Sequence, residues 1–152
     1  MAVVDLAELP PAGALVGLDL GEKTIGVAVS DATRMIASPL ALIRKTRFTD
    51  DVGALFKLVD SRHPVGLVIG LPVNMDGSEG PRCQSSRAWA RNVLRLRPDQ
   101  PIAFWDERMS SMAVNRMLIG EADVSRARRA EVVDKAAAAW ILQGALDRLR
   151  NA

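Results

Sequence analysis

Short apolar blocks separated by turn formers fill the first two thirds of the chain, and longer helical spacings fill the rest. Residues 14–20 form an apolar run carrying a single charge, Asp19, and residues 24–30 form a second, β-branched run. The Gly21-Glu22-Lys23 turn between them predicts a β-hairpin. A third strand is expected near 39–43. Asp50, Leu55, Leu58 and Val59 mark a helix that stops before His63-Pro64. Residues 65–71, short, apolar and bounded by Pro64 and Pro72, predict a buried strand. A loop rich in turn formers spans 74–81, and helical spacing resumes over 82–97. Residues 101–105 predict a fifth strand. Ser110 or Ser111 is placed to cap a helix ending at Ile119, before Gly120. A polar, mobile segment is expected over 121–129, and a last helix over 129–150.

This order, β-β-β-α-β-α-β-α-α, predicts an α/β protein: a three-strand meander, then α/β crossovers, giving a mixed five-stranded sheet with helices on both faces. In such sheets sites gather at strand ends. Residues 1–13 are expected to form an N-terminal arm, and 14–152 a single domain.

Composition narrows the class. At 49% apolar residues the chain can bury a core, yet no run reaches the roughly 18 apolar residues of a membrane helix. The first 13 residues hold Asp5 and Glu8 but no basic residue, unlike a secretory signal. A single cysteine, Cys83, cannot form an internal disulfide, which points to the reducing cytoplasm. The net charge of +2 says little, but only four of the 20 basic residues are lysines, leaving sixteen arginines. Arginine suits phosphate, although a codon bias would enrich it too.

Three acidic elements carry the candidate chemistry. Asp19 ends the first strand inside an apolar run, where an ionised carboxylate is costly unless paired, exposed or metal-bound. Its bland reading is a cap on the following turn. Asp134 heads an apolar helical stripe, Ala138, Ile141, Ala145 and Leu149, so it is either a core-facing acid or an acid favoured by the helix start. Asp106 and Glu107 end the fifth strand, and alternation allows only one of them to face a given site. Parity alone cannot choose; Asp106, shorter and nearer the strand's regular end, is favoured. Hard oxygen ligands of this kind suit Mg²⁺ or Mn²⁺, and two such ions serve phosphodiester hydrolysis. Zinc is disfavoured by one cysteine and one histidine without ligand spacing.

Arg87, Arg91 and Arg95 recur every four residues, opposite an expected core stripe of Trp89, Val93 and Leu96, with no acid interleaved. They are candidate phosphate contacts, or else a solvated helix face. Arg126, Arg128 and Arg129 in the mobile segment form a second candidate clamp, and Lys23 and Arg108 lie beside the acids.

Four motifs, in order, resemble those of the YqgF (RuvX-like) family. They are Gly17-Leu18-Asp19-Leu20-Gly21-Glu22-Lys23-Thr24-Ile25-Gly26-Val27-Ala28, Gly70-Leu71-Pro72-Val73-Asn74-Met75-Asp76-Gly77, Asp106-Glu107-Arg108, and Val133-Asp134-Lys135-Ala136-Ala137. The resemblance implies an RNase H-like fold and a cytoplasmic nuclease that matures the 5′ end of 16S rRNA. It also implies a metal site of Asp19, an acid of the Asp106-Glu107 pair, and Asp134. Unlike other RNase H-like nucleases, the chain has Pro72-Val73-Asn74 after the fourth strand rather than a carboxylate. The third acid must then come from Asp106-Glu107 or from Asp76. Competing readings are a Holliday junction resolvase acting on branched DNA, a non-catalytic nucleic-acid-binding factor, and an actin-like ATPase. The last needs two related domains, and the chain has length for one. The partner is nucleic acid, an rRNA precursor or branched DNA, and the protein is a monomer or a homodimer.

Overall fold

The computed structural model describes residues 3–109 and 126–151, with side chains over 3–109 and 136–151. Five strands form one sheet: β1 (Leu15–Leu20), β2 (Thr24–Ser30), β3 (Ala37–Arg44), β4 (Gly66–Leu71) and β5 (Ile102–Asp106), in the order β3-β2-β1-β4-β5. The first three strands are antiparallel neighbours, whereas β4 lies parallel to β1 and β5 parallel to β4. The expected meander and crossovers are therefore present. β3 extends past the expected 39–43 at both ends and is an edge strand, which is why it tolerates Pro39. The helix expected from Ser110 or Ser111 to Ile119 lies outside the described residues.

Helix α1 (Phe48–Val59) starts without a side chain on its first N–H groups. Its entry is fixed instead by buried Asp51, whose Oδ1 accepts from the Thr46 backbone N (2.9 Å) and from Thr46 Oγ1 (3.2 Å). After a short 3₁₀ turn, His63 takes a left-handed conformation (φ 49°) ahead of Pro64. Pro64 disfavours helix at the residue before it, so the chain must turn here. Helix α2 (Pro81–Leu96) opens with Pro at its first position, where a missing N–H costs nothing. Leu96, expected on the core stripe of this helix, is exposed at 52%. Leu96 is the last residue of α2.

Helix α3 spans Arg126–Arg150 and packs on the other face of the sheet. Arg126, Arg128 and Arg129 thus sit in a helix rather than in the loop expected over 121–129. Alternation divides the strands cleanly. Val16, Leu18, Ile25, Leu67, Ile69 and Ile102 join the core with α1 and α2. Leu15, Ala28, Val68, Ala103 and Trp105 pack against Ala138, Ile141, Leu142 and Ala145 of α3. The second interface has glycines where the helix comes very close. A Cβ added at Gly17 would lie 2.6 Å from Leu142 Cβ and 2.9 Å from the Ala138 carbonyl oxygen.

Residues 3–13 dock on the sheet. Val4 N donates to Ile102 O (2.9 Å), Leu9 is buried, and Arg34 donates from Nε to Gly13 O (2.7 Å) and also bonds Pro10 O.

Candidate active site

The carboxyl ends of β1, β4 and β5 lie side by side, and alternation decides which acids share a face. Leu15 and Gly17 point to α3, so Asp19, two residues on, points there too. It is half-buried and faces Gly26 across the hairpin. On β5, Ala103 and Trp105 belong to the α3 side, whereas Ile102 and Phe104 belong to the α1/α2 side. Glu107 continues the first set. Its Cγ would be 3.1 Å from a Cβ at Gly70, which itself would touch Ile141 of α3 at 2.6 Å. Gly70 pairs with Trp105 on one side, and its neighbour Ile69 pairs with Leu18 on the other. Asp19 and Glu107 therefore flank β4 on one face, at one end of the sheet.

Asp106 takes the opposite parity. Arg108 grips it with Nε (3.1 and 3.0 Å to the two carboxylate oxygens) and Nη2 (2.7 Å), and its backbone N adds a bond of 2.9 Å. The Arg108 hydrogen bonds hold the Asp106 carboxyl below its usual range, and the same pairing raises Arg108. The preference for Asp106 over Glu107 thus runs against the observed faces. The strand keeps its alternation through its last residue, so the longer acid turns toward Asp19. Arg108 also donates to Met75 O (3.3 Å), tying the 72–80 loop to the end of β5. Its donors serve protein partners rather than lying open to phosphate. Asp76 is occupied inside that loop, accepting from Ser78 N (2.9 Å) and Ser78 Oγ (2.6 Å), which together lower its pKa.

Asp134 lies on α3, and its side chain is outside the described residues. Its helix can still be followed. Gln143 bonds Ala37 N (2.9 Å), and Ala37 pairs with Ser30, whose Oγ receives Leu15 N; this is the amino end of β1. Ala138 sits over Gly17. Traced backward, α3 therefore runs toward the carboxyl ends of β1 and β4. One further turn, about 5.4 Å, carries the backbone at 134 toward the end that bears Asp19. Of the expected stripe, Ala138, Ile141 and Ala145 are fully buried against the sheet and Leu149 is partly buried. Among the described residues no three acids or other ligand side chains converge to hold a metal ion.

The basic candidates separate. Arg87 makes a two-pronged bond to Glu79 (Nε and Nη2, 2.7 Å each) and lies over the Phe104 ring at 5.0 Å. The expectation that this stripe has no pairing acid fails at Arg87. Glu79 precedes the helix and reaches it across the loop, a contact that helical spacing does not reveal. Arg91 and Arg95 are exposed. Lys23 is exposed at the tip of the β1–β2 turn, and its carbonyl receives Lys45 N (2.8 Å). Lys45, which the sequence did not single out, donates from Nζ to Gly21 O (3.0 Å) and braces that turn. The strand register that pairs Arg44 with Thr24 is what brings it there. The side chains of Arg126, Arg128 and Arg129 are outside the described residues.

A sheet of this order, with acids at the carboxyl ends of β1 and β5 and a helix laid over one face, is the RNase H-like fold. Two solved structures share it: T. thermophilus RuvC in complex with a Holliday junction substrate, and the yeast mitochondrial Holliday junction resolvase Ydc2. The first has TM-score 0.53 and 13% identity, over 90% of this chain and 96% of that one. The second has TM-score 0.51 and 12% identity, over 96% of this chain and 85% of that one. The family model RuvX, described as Holliday junction resolvase, matches residues 13–148, and the chain belongs to that family of nucleases. A Phenylobacterium zucineum relative named "Putative pre-16S rRNA nuclease" is 79% identical over 99% of both chains. A Caulobacter vibrioides relative of the same name is 66% identical over the same shares.

Proposed function

We propose that this chain is a metal-dependent nuclease that hydrolyses phosphodiester bonds in maturing the 5′ end of 16S rRNA in the cytoplasm. The observation that carries the reading is the shared face of Asp19 and Glu107 at the ends of β1 and β5, with the stripe of Asp134 running toward them. Their donors are all carboxylate oxygens, a set that fits Mg²⁺ or Mn²⁺ and not a soft metal. Asp19, Glu107 and Asp134 would hold it. A divalent ion bound there supplies Lewis acidity toward the phosphodiester.

The chain's own residues do the rest. Gly17 and Gly70 let α3 approach so closely that no side chain intrudes beneath the acids. Arg108 keeps Asp106 turned away and holds the 72–80 loop against β5. Lys23, Arg91 and Arg95 present exposed cations to the backbone of the substrate, which positions it without reading sequence. The rRNA assignment follows the relatives that match along their whole length. Resolution of four-way junctions is the second reading, favoured by the family description. No helix among the described residues is long and apolar enough to cross a membrane.

The test is purified protein with Mg²⁺ or Mn²⁺ on precursor 16S rRNA and on synthetic four-way junctions, each beside Asp19→Asn. Cleavage of the precursor that disappears in the variant supports the proposal. Cleavage confined to junctions transfers the substrate to branched DNA, and undiminished cleavage by Asp19→Asn removes the mechanism.

A further inference from the structure

Of the large apolar side chains left exposed, Met75 is the most open to solvent, at 88%, and Met109 follows at 67%. Both sit at the carboxyl end of the sheet beside Arg108. Met109 is the next residue in the chain, and Met75 offers Arg108 Nη1 its carbonyl oxygen (3.3 Å).

We infer that Met75 is a specificity-determining residue, which wedges against an unpaired base of the strand whose phosphodiester lies at Asp19 and Glu107. The inference deepens the proposed function and rests on it for the presence of that strand. Exposure alone carries nothing, since single exposed apolar residues are ordinary on protein surfaces. Three further observations carry it.

The first is that the loop under Met75 is held rigidly, and its polar side chains are spent on holding it. Asn74 N donates to Ser78 O (2.9 Å) and Gly77 N to Asn74 O (2.8 Å), with Gly77 at φ 90°. Asn74 Nδ2 donates to Ser78 Oγ (3.0 Å), and Asp76 Oδ1 accepts from the Ser78 N and Oγ. Two arginines clamp the loop from outside, Arg108 at Met75 and Arg87 at Glu79. The one large apolar side chain on the loop is therefore held out before a substrate arrives, and binding needs little further ordering.

The second is place. The loop leaves the carboxyl end of β4, the strand that Asp19 and Glu107 flank, and Arg108, which grips it, follows Glu107 in the chain.

The third is chemistry. Residues 72–80 hold two carboxylates, Asp76 and Glu79, and no cation, so the loop offers a phosphate nothing. What it can meet of a strand is a base. A polarizable thioether packs well on aromatic faces, and Met is among the side chains that part stacked bases. A protein partner would need an interface of about 1,000 Å², far more than two methionines present. The consequence is selectivity for a strand that is unpaired at this position.

The experiment binds the full chain, without divalent metal, to short single-stranded RNAs that carry 2-aminopurine at successive positions, and to the matching duplexes. Wild type is compared with Met75→Ala and with Met75→Leu, which keeps an apolar side chain of similar size. The single strand should bind more tightly than the duplex, with one position whose fluorescence rises as its base leaves the stack. That rise should vanish in Met75→Ala and persist in Met75→Leu. Affinity for the single strand should fall about fivefold in Met75→Ala, at unchanged melting temperature because the side chain is exposed. No binding of RNA, a duplex bound as tightly as the single strand, a signal untouched by Met75→Ala, or equal loss in both variants overturns the inference. Cleavage stays out of the readout, so a chain that cuts nothing can still show the Met75-dependent signal. A chain that cuts, with a signal unaltered in Met75→Ala, keeps the nuclease reading and loses this one.

Discussion

The two faces of the sheet solve opposite packing problems. Toward α1 and α2 the strands present Val16, Leu18, Ile25, Leu67, Ile69 and Ile102, large side chains that hold the helices at a distance and leave a cavity at one end. Toward α3, Gly17, Ala28, Gly70 and Ala103 are interspersed with Leu15, Val68 and Trp105, and the helix answers with Ala138, Gly144 and Ala145 between Ile141, Leu142 and Leu146. Both faces bury large apolar side chains, but only the second brings backbone and helix into close approach at glycines. The second gives up side-chain volume so that a helix bearing an acid can lie close over two strand-end carboxylates. On the function proposed above, stability and chemistry fall to separate faces, and substitutions should separate them as well.

The largest stability effect belongs to the first face. Ile69→Ala removes a fully buried side chain and should cost about 2–5 kcal/mol in denaturant unfolding. Cleavage measured well below the unfolding midpoint should survive. Loss of activity in the folded variant would mean that the faces are not independent.

Gly70→Ala makes the complementary break. The new Cβ meets Ile141 Cδ1 at 2.6 Å, a flexible tip that can move, and Glu107 Cγ at 3.1 Å. The stability cost should stay near about 1–3 kcal/mol, with cleavage falling further than stability. An activity equal to wild type would detach Glu107 from the site.

How much of this was legible in the sequence depends on whether a feature is local. The five strands were readable because each is a short apolar run between turn formers, and Asp19 stood out as a charge inside one. The stripe after Asp134 was readable from helical spacing and is buried as expected, Leu149 only in part. The choice between Asp106 and Glu107 was not readable. Both faces of β5 are apolar, so alternation could be anchored only by seeing Trp105 against Gly144 of α3. Arg87 with Glu79, and the cavity under Leu20 and Trp89, depend on loop paths that no periodicity encodes.

The arginine stripe sharpens the comparison on a smaller scale. Arg91→Gln and Arg95→Gln should each shallow the salt dependence of RNA binding by about one unit of slope. Arg87→Gln should change it less, because its guanidinium already serves Glu79. Equal slopes for all three single variants would contradict this ranking.

The smallest effect concerns pH, at the amino end of the sheet. In the β2–β3 turn, the Thr33 hydroxyl and then the Ile36 and Met35 N–H groups bond Asp31, whose pKa falls from 3.8 to about 2. A carboxyl depressed on folding stabilises above its unfolded value, and that contribution fades as pH falls through the folded one. The stability difference between wild type and Asp31→Asn should therefore hold down to about pH 4 and vanish near pH 2. A difference independent of pH would assign the turn's stability to something other than the carboxylate.

The central claim is that the acids facing α3, and not the one facing away, do the chemistry. Its most direct test compares Asp19→Asn, Glu107→Gln and Asp106→Asn on one precursor rRNA with Mg²⁺, each checked for folding by circular dichroism. The account predicts losses of orders of magnitude for Asp19→Asn and Glu107→Gln, while Asp106→Asn, which loses only its pairing with Arg108, retains most of its activity. Activity retained by Glu107→Gln and lost in a folded Asp106→Asn would contradict it.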